Sequence, residues 1–236
     1  MKEIVKRIPV IGPVAKAIRQ RLAAVTFPGS ERYWIKRYAD GKSSGPGSYN
    51  DLAMFKADTI NNFIKANEIN TVIEYGCGDG NQLRYVKCVK YLGFDVSPNA
   101  IALCERIFMG DLSKKFRLMR DYNNERADLT LSLDVIYHLT EDDIFRAYMK
   151  RLFGSSDHFV IIYSSNADDQ AQGQPPHIRH RCFTDWIENE LRGWKLKEHI
   201  PNKYKFSGDI LHSSFADFYI YEKGMFDGNA TTKASR

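Results

Sequence analysis

Three short stretches of the 236-residue sequence carry residue types that could do chemistry. The first is Glu74-Tyr75-Gly76-Cys77-Gly78-Asp79-Gly80, preceded by the apolar Val72 and Ile73. An apolar run ending in glycines predicts a strand that delivers its carboxyl end into a sharp turn. Glycine is needed there because the backbone bends steeply and a ligand can approach where no Cβ intervenes. Asp95 closes a second apolar run and could accept both hydroxyls of a ribose. The second stretch is Asp134-Val135-Ile136-Tyr137-His138-Leu139. Asp134 and His138 are four apart, so a helical turn would bring them to one face. A positioned imidazole there is the usual device for taking a proton from an alcohol. The third runs from Asn166 to His177-Ile178-Arg179-His180-Arg181. Its two histidines could supply a base, and Asn166, Arg179 and Arg181 could hydrogen-bond a polyol or an anion.

The elements that would position these stretches alternate along the chain. Asp51 begins a helix over 51–67, with Leu52, Phe55, Ile60, Phe63 and Ile64 on one face. Strands follow at 71–75 and 91–96, with a helix over 81–89 between them. Ser97-Pro98 opens the next helix, proline suiting the first helical position. A short strand falls at 107–109, then a strand at 129–133, a helix over 141–153 and a strand at 158–163. This alternation calls for a parallel sheet covered on both faces. After a helix at 183–191, runs at 195–200 and 215–222 are too close for a crossover helix, so those two strands pair antiparallel. The fold class is α/β: a Rossmann-like, doubly wound, mostly parallel seven-stranded sheet with a C-terminal antiparallel strand. In open sheets of this kind ligands bind at the carboxyl ends of the strands.

The glycine loop with an acidic residue two places before Gly76 resembles the (D/E)-x-G-x-G-x-G signature of class I S-adenosylmethionine-dependent methyltransferases. Asp134–Leu139 resembles their D-V-x-x-H-L segment, and the likeness covers roughly residues 50–223. It implies S-adenosylmethionine as cofactor, S-adenosylhomocysteine as product, and a cofactor site of Glu74, Gly76, Gly78, Asp95, Val96, Leu133 and Asp134. It adds Asp111, placed after the third strand, as partner of the adenine amino group, with Leu112 beside the ring. His138, Asp134, His177 and His180 become the catalytic candidates. The N-terminal segment, Gly45-Pro46-Gly47-Ser48-Tyr49-Asn50 and the 177–181 run also look like small methyltransferases of bacterial surface-glycan assembly. On that likeness residues 45–50 close over the cofactor with Tyr49 touching it, and the acceptor is a sugar hydroxyl or another small polar group. A catalytically inactive cofactor-binding module is the alternative from another class. A nicotinamide oxidoreductase fits less well, since Gly80 comes one residue early for G-x-G-x-x-G.

Composition sets limits. Aromatic residues make up 13% of the chain, which excludes a disordered scaffold. Cys77, Cys88, Cys104 and Cys182 lack any zinc-site spacing, and no spacing demands a metal on Asp134 with His177 or His180. The formal charge is +5. Lys2, Lys6, Arg7, Lys16, Arg19 and Arg21 against Glu3 account for all of it within residues 1–25, which argues against a nucleic-acid substrate for the domain. Residues 1–50 read as a basic amphipathic segment followed by a glycine-rich loop, 51–224 as the domain and 225–236 as a flexible tail. A short amphipathic helix over 14–25 would either lie on an anionic membrane surface or pack on its own domain or a twin subunit. No secretory signal or spanning run is read, so a cytoplasmic address is expected.

Overall fold

The computed structural model describes residues 27–170 and 174–224. The short amphipathic helix read over 14–25 and the tail read over 225–236 lie outside the described residues. One sheet of seven strands organises the rest: β1 Thr71–Tyr75, β2 Lys90–Asp95, β3 Lys114–Leu118, β4 Ala127–Leu133, β5 Ser156–Ser164, β6 Trp194–Ile200 and β7 Asp217–Lys223. Their order is β3-β2-β1-β4-β5-β7-β6. Neighbours from β3 through to β5 pair parallel, and β7 runs antiparallel to both β5 and β6. The strand order reverses between β1 and β4, so the crevice of an open α/β sheet falls at their carboxyl ends.

Helices α1 Ser30–Ala39, α2 Asn50–Ala66, α3 Pro98–Ile107, α4 Asp142–Gly154 and α5 Phe183–Glu190 complete the described chain. Successive strand residues face opposite sides, and the core divides accordingly. Val72, Leu129, Leu131, Ile161 and Phe218 pack with Ile60, Phe63 and Ile64 of α2 and Ile101 of α3. On the other face Ile73, Phe94, Val160 and Ile162 pack with Phe145, Met149 and Leu152 of α4 and Ile187 of α5. Ser97 caps α3 by accepting from the Ala100 N–H at 3.4 Å, with Pro98 at its first position.

Two elements differ from the sequence-based expectation. The third strand is not at 107–109 but at Lys114–Leu118. Ile107 closes α3, and the Phe108 N–H still bonds to the Cys104 carbonyl at 2.9 Å, so that apolar triplet continues a helical face. The true strand has an alternating pattern, and its outward Lys115 and Arg117 suit a sheet edge, where charge discourages further pairing. The helix expected over 81–89 is a single 3₁₀ turn, Gln82–Tyr85. Asn61 of α2 takes over from there, donating to the Tyr85 carbonyl and accepting from the Lys87 N–H at 2.9 and 2.7 Å.

Candidate active site

The glycine loop leaves β1 at the crevice. Gly76, Gly78 and Gly80 have φ of 85°, 59° and 75°, the left-handed region that only glycine enters without strain. Space imposes the same choice. A Cβ on Gly76 would lie 2.5 Å from Val135 Cγ2, and one on Gly78 would collide with the Ser44 hydroxyl. The Gly76 and Cys77 N–H groups both point to the Phe94 carbonyl, which ties the loop to β2.

The loop opens onto a cavity of about 280 Å³. Five carboxylates line it: Glu74, Asp79, Asp95 and Asp134 from the sheet side, and Glu31 from α1. Glu74 is buried, and desolvation raises its pKa to about 7 against the Tyr91 hydroxyl, which donates to it at 2.6 Å. Asp95 is raised to about 6 by burial, opposed by the N–H groups of Ser97 and Gly78 at 2.9 and 3.0 Å. Gln82 gives its amide N–H to the Ala53 carbonyl at 3.0 Å, which leaves its Oε1 buried without a partner on the cavity wall. An unpaired buried acceptor is costly unless a ligand supplies the donor. Val96 and Leu133 add apolar wall.

The segment ahead of the domain forms one side of this cavity. Ser30, Glu31, Trp34 and Tyr38 from α1, with Ser44 and Ser48 beyond it, line the space. Two clamps hold the segment. Ser30 donates through its N–H and its hydroxyl to the Glu141 carboxylate, the N–H at 2.8 Å. At the other end the Ser44 N–H and the Tyr49 hydroxyl both donate to Asp79 Oδ2, at 2.8 and 2.9 Å. Tyr49 was expected against the cofactor. Instead it is a strap on the acidic residue of the glycine loop, with its own pKa raised to about 12 by burial and that carboxylate.

Beyond β4, Asp134 takes φ +58° and the chain makes a 3₁₀ turn, Ile136–His138. Asp134 and His138 both line the cavity, though Asp134 stands ahead of the 3₁₀ turn and not within it. Asp134 Oδ2 receives the Lys56 ammonium at 2.6 Å, and its Oδ1 receives the Tyr137 hydroxyl at 2.9 Å. Sequence reading missed Lys56, although a signal existed. Leu52, Lys56 and Ile60 are spaced by four, so Lys56 sits inside the apolar stripe of α2, and a charge there needs a buried partner. His138 Nδ1 lies 2.9 Å from the His177 carbonyl. A carbonyl only accepts, so Nδ1 carries the proton and the neutral ring keeps a free lone pair on Nε2. Burial lowers the His138 pKa to about 4, with the His177 carbonyl opposing. The ring is therefore uncharged at neutral pH.

The remaining expected site residues lie elsewhere. Asp111 precedes β3 rather than following it, at the end of the sheet away from the crevice. There it binds Lys114 and the Ser113 N–H, which hold its carboxyl at about 2. Leu112 beside it is 92% exposed. Met119, after β3, takes the wall position instead. Asn166 exchanges hydrogen bonds with Thr184 and anchors the start of α5. Arg181 donates to the Leu139 and Thr140 carbonyls and to Asp142, and Arg179 also reaches Thr140 and Asp142. Both arginines hold the turn before α4. His180 bonds Ser165 at 2.6 Å, and the His177 ring stacks on Tyr33. None of Asn166, His177, Arg179, His180 and Arg181 lines the cavity. Their loop supports the site from behind, because its backbone is pinned to Tyr137 through the Arg179 N–H at 2.7 Å.

Comparison with known proteins agrees with this geometry. Residues 73–161 match the family model described as a methyltransferase domain. A search of curated proteins found no significant match. Among solved structures, the fold is similar to the N-methyltransferase NodS from Bradyrhizobium japonicum WM9 in complex with S-adenosylhomocysteine (12% identity, TM-score 0.63, covering 83% of this chain and 98% of that one). It is also similar to magnesium protoporphyrin IX methyltransferase (ChlM) from Synechocystis PCC 6803 with bound S-adenosylmethionine (13% identity, TM-score 0.57, covering 89% and 97%). The methyltransferase domain of bacterial CtHen1 is a third (19% identity, TM-score 0.56, covering 74% and 100%).

Proposed function

We propose that the chain is a class I S-adenosylmethionine-dependent methyltransferase that O-methylates a hydroxyl of a sugar or similar small polar acceptor, with His138 as the general base; the methyltransferase-domain match over 73–161 and the likeness of fold support this reading. The cofactor supplies a methyl carbon activated by a positively charged sulfur. The chain's residues fit such a ligand. Glu74 and the unpartnered Gln82 Oε1 suit an ammonium group, Asp95 suits a ribose, and the left-handed glycines leave room for close approach. The carboxylates that line the cavity would repel the pyrophosphate of a nicotinamide dinucleotide, which disfavours the oxidoreductase reading.

The observation that carries the proposal is the His138–His177 hydrogen bond. It fixes a neutral tautomer whose Nε2 can accept the acceptor's proton, beside a cation that makes a second positive charge unfavourable. Trp34 and Glu31 on the α1 side support a hydroxylated ring: an aromatic face packs on C–H groups and a carboxylate accepts from hydroxyls. With the enzyme's own residues, catalysis is alignment and exclusion of water, which α1 and the strap over 44–49 provide.

The test is His138→Gln, which keeps a polar group while removing the base. Turnover should fall at least about tenfold, with S-adenosylhomocysteine binding unchanged by calorimetry. A variant with full turnover on a hydroxyl acceptor removes the base, and methylation of amines alone in an acceptor panel removes the O-methyl reading.

A further inference from the structure

The arginines of 177–181 border a second cavity, which the methyl-transfer reading leaves unused. Its volume is about 230 Å³, and it lies between the start of α4, the start of α5 and the segment that leads into α5. Asp142, Phe145 and Arg146 of α4, Trp186 of α5, and Arg179 and Arg181 line it. None of these residues lines the first cavity, although Leu139 and Ile144, on either side of Asp142, do. The turn before α4 is thus the partition between the two.

Charge on this wall is unbalanced. Three guanidinium groups stand with two carboxylates, Asp142 and Asp168. Asp142 serves Arg179 and Arg181 together, at 2.9 Å each, and its side chain is 58% exposed. Arg181 is only 9% exposed. Its hydrogen bonds go to the Leu139 and Thr140 carbonyls and to Asp142, but a carbonyl carries no counter-charge. A buried cation that shares one solvent-facing carboxylate is undercompensated. Asp168 accepts the Cys182 N–H at 2.9 Å. Arg146 has no ion-pair partner among the described residues, and the Trp186 indole N–H is buried there without an acceptor. The wall therefore holds more positive charge and more N–H donors than the described chain takes up.

The donors select the ligand. Arg146 comes from a helix and Arg179 from a separate segment, so two forks border one space. A planar carboxylate is met by one fork, whereas the terminal oxygens of a phosphate accept from two at once. Phe145 and Trp186, edge to face at 5.4 Å, add an apolar wall that suits carbon atoms attached to the phosphate. We infer that this second cavity binds a phosphate group, free or carried on a small organic ester, with Arg146 and Arg179 as donors and Arg181 as the buried charge behind them. The site is separate from the cofactor cavity and is measured by binding alone.

The experiment is calorimetric titration of the full chain with inorganic phosphate and with phenyl phosphate, at an ionic strength held constant by chloride. Both should bind. Arg146→Gln should weaken both at least about tenfold, the scale of one charge-assisted hydrogen bond. Arg106→Gln, which removes an exposed arginine of α3 on the other face of the sheet, should leave both unchanged. Melting temperatures confirm that the two variants are folded. Tighter binding of phenyl phosphate assigns the group to an ester, and an affinity no better than that of inorganic phosphate assigns it to the free ion. Either result, with that dependence on Arg146, supports the site. Heat from neither probe, or a loss in Arg146→Gln no greater than in Arg106→Gln, overturns the inference. So does displacement of the probe by S-adenosylhomocysteine, because the phosphate would then lie in the first cavity.

Discussion

The ammonium of Lys56 stands 2.6 Å from Asp134 Oδ2, with the lysine side chain 1% exposed and the aspartate 16%. Asp134 is held at φ +58°, and the turn that carries His138 starts from it. The ion pair thus fixes a strained residue beside the candidate base, while the lysine also lies over the Tyr163 ring at 5.1 Å. Lys56→Met leaves a carboxylate without its counter-charge, and we expect a loss of about 3–5 kcal/mol, the range for breaking a buried pair. Urea unfolding measures it. The double variant Lys56→Met/Asp134→Asn should recover part of the loss, and a single variant as stable as the parent would show that the pair is dispensable.

Proton linkage offers a second test. Burial raises Glu74 to about 7 and Asp95 to about 6. Both values exceed those of the unfolded chain, so these groups favour the ligand-free fold at acid pH, and that contribution is lost as pH rises through 6 and 7. A ligand that needs the ionised carboxylates behaves oppositely. S-adenosylhomocysteine affinity should be highest above pH 7 and fall as pH drops below it, by up to about tenfold per unit for each proton that must leave. Calorimetry in two buffers of different ionisation enthalpy should detect that proton release. An affinity independent of pH would mean that neither carboxylate meets the ligand.

Activity in the acid range separates His138 from the carboxylates. Its pKa is lowered to about 4, so its neutral form persists well below the usual histidine range. With cofactor saturating, kcat should hold through pH 6 and decline toward pH 4. A kcat that halves near pH 6.5 would indicate an ordinary solvated histidine, or another base.

Backbone and steric demands can be compared at two glycines of similar φ. Gly76 at +85° faces Val135 at 2.5 Å, and Gly110 at +88° faces nothing within 4 Å. Gly110→Ala should cost only the left-handed conformation, about 1–2 kcal/mol. Gly76→Ala should cost more and abolish cofactor binding. Equal thermal shifts for the two would mean that the Val135 contact relaxes freely.

Arg181 tests the reassignment of the 177–181 loop. Its guanidinium is spent on the Leu139 and Thr140 carbonyls and Asp142, over the Phe145 ring at 4.7 Å. Arg181→Ala should destabilise the fold by about 2 kcal/mol or more, with acceptor KM unchanged where the protein is folded. A raised KM without a thermal shift would return Arg181 to the acceptor site.

The sequence by itself determined the alternation of strands and helices, the glycine loop with Glu74 before it, Asp95 at the end of β2, and the nearness of Asp134 to His138. Each is a local matter: period two or three-and-a-half in burial, φ values that only glycine tolerates, and four-residue spacing in a turn. The location of β3 was misread because Ile107, Phe108 and Met109 are apolar in either a helix or a strand, and Asp111 and Leu112 went astray with it. Tertiary structure alone decided which polar residues face the cavity. Lys56 meets Asp134 across 78 positions and Ser44 meets Asp79 across 35. The two arginines of 177–181 turn to carbonyls and a carboxylate about 40 positions earlier. A side chain's direction is set by what the whole chain packs around it, and a run of histidines and arginines fits a ligand or the protein's own backbone equally well until those distant partners are in place.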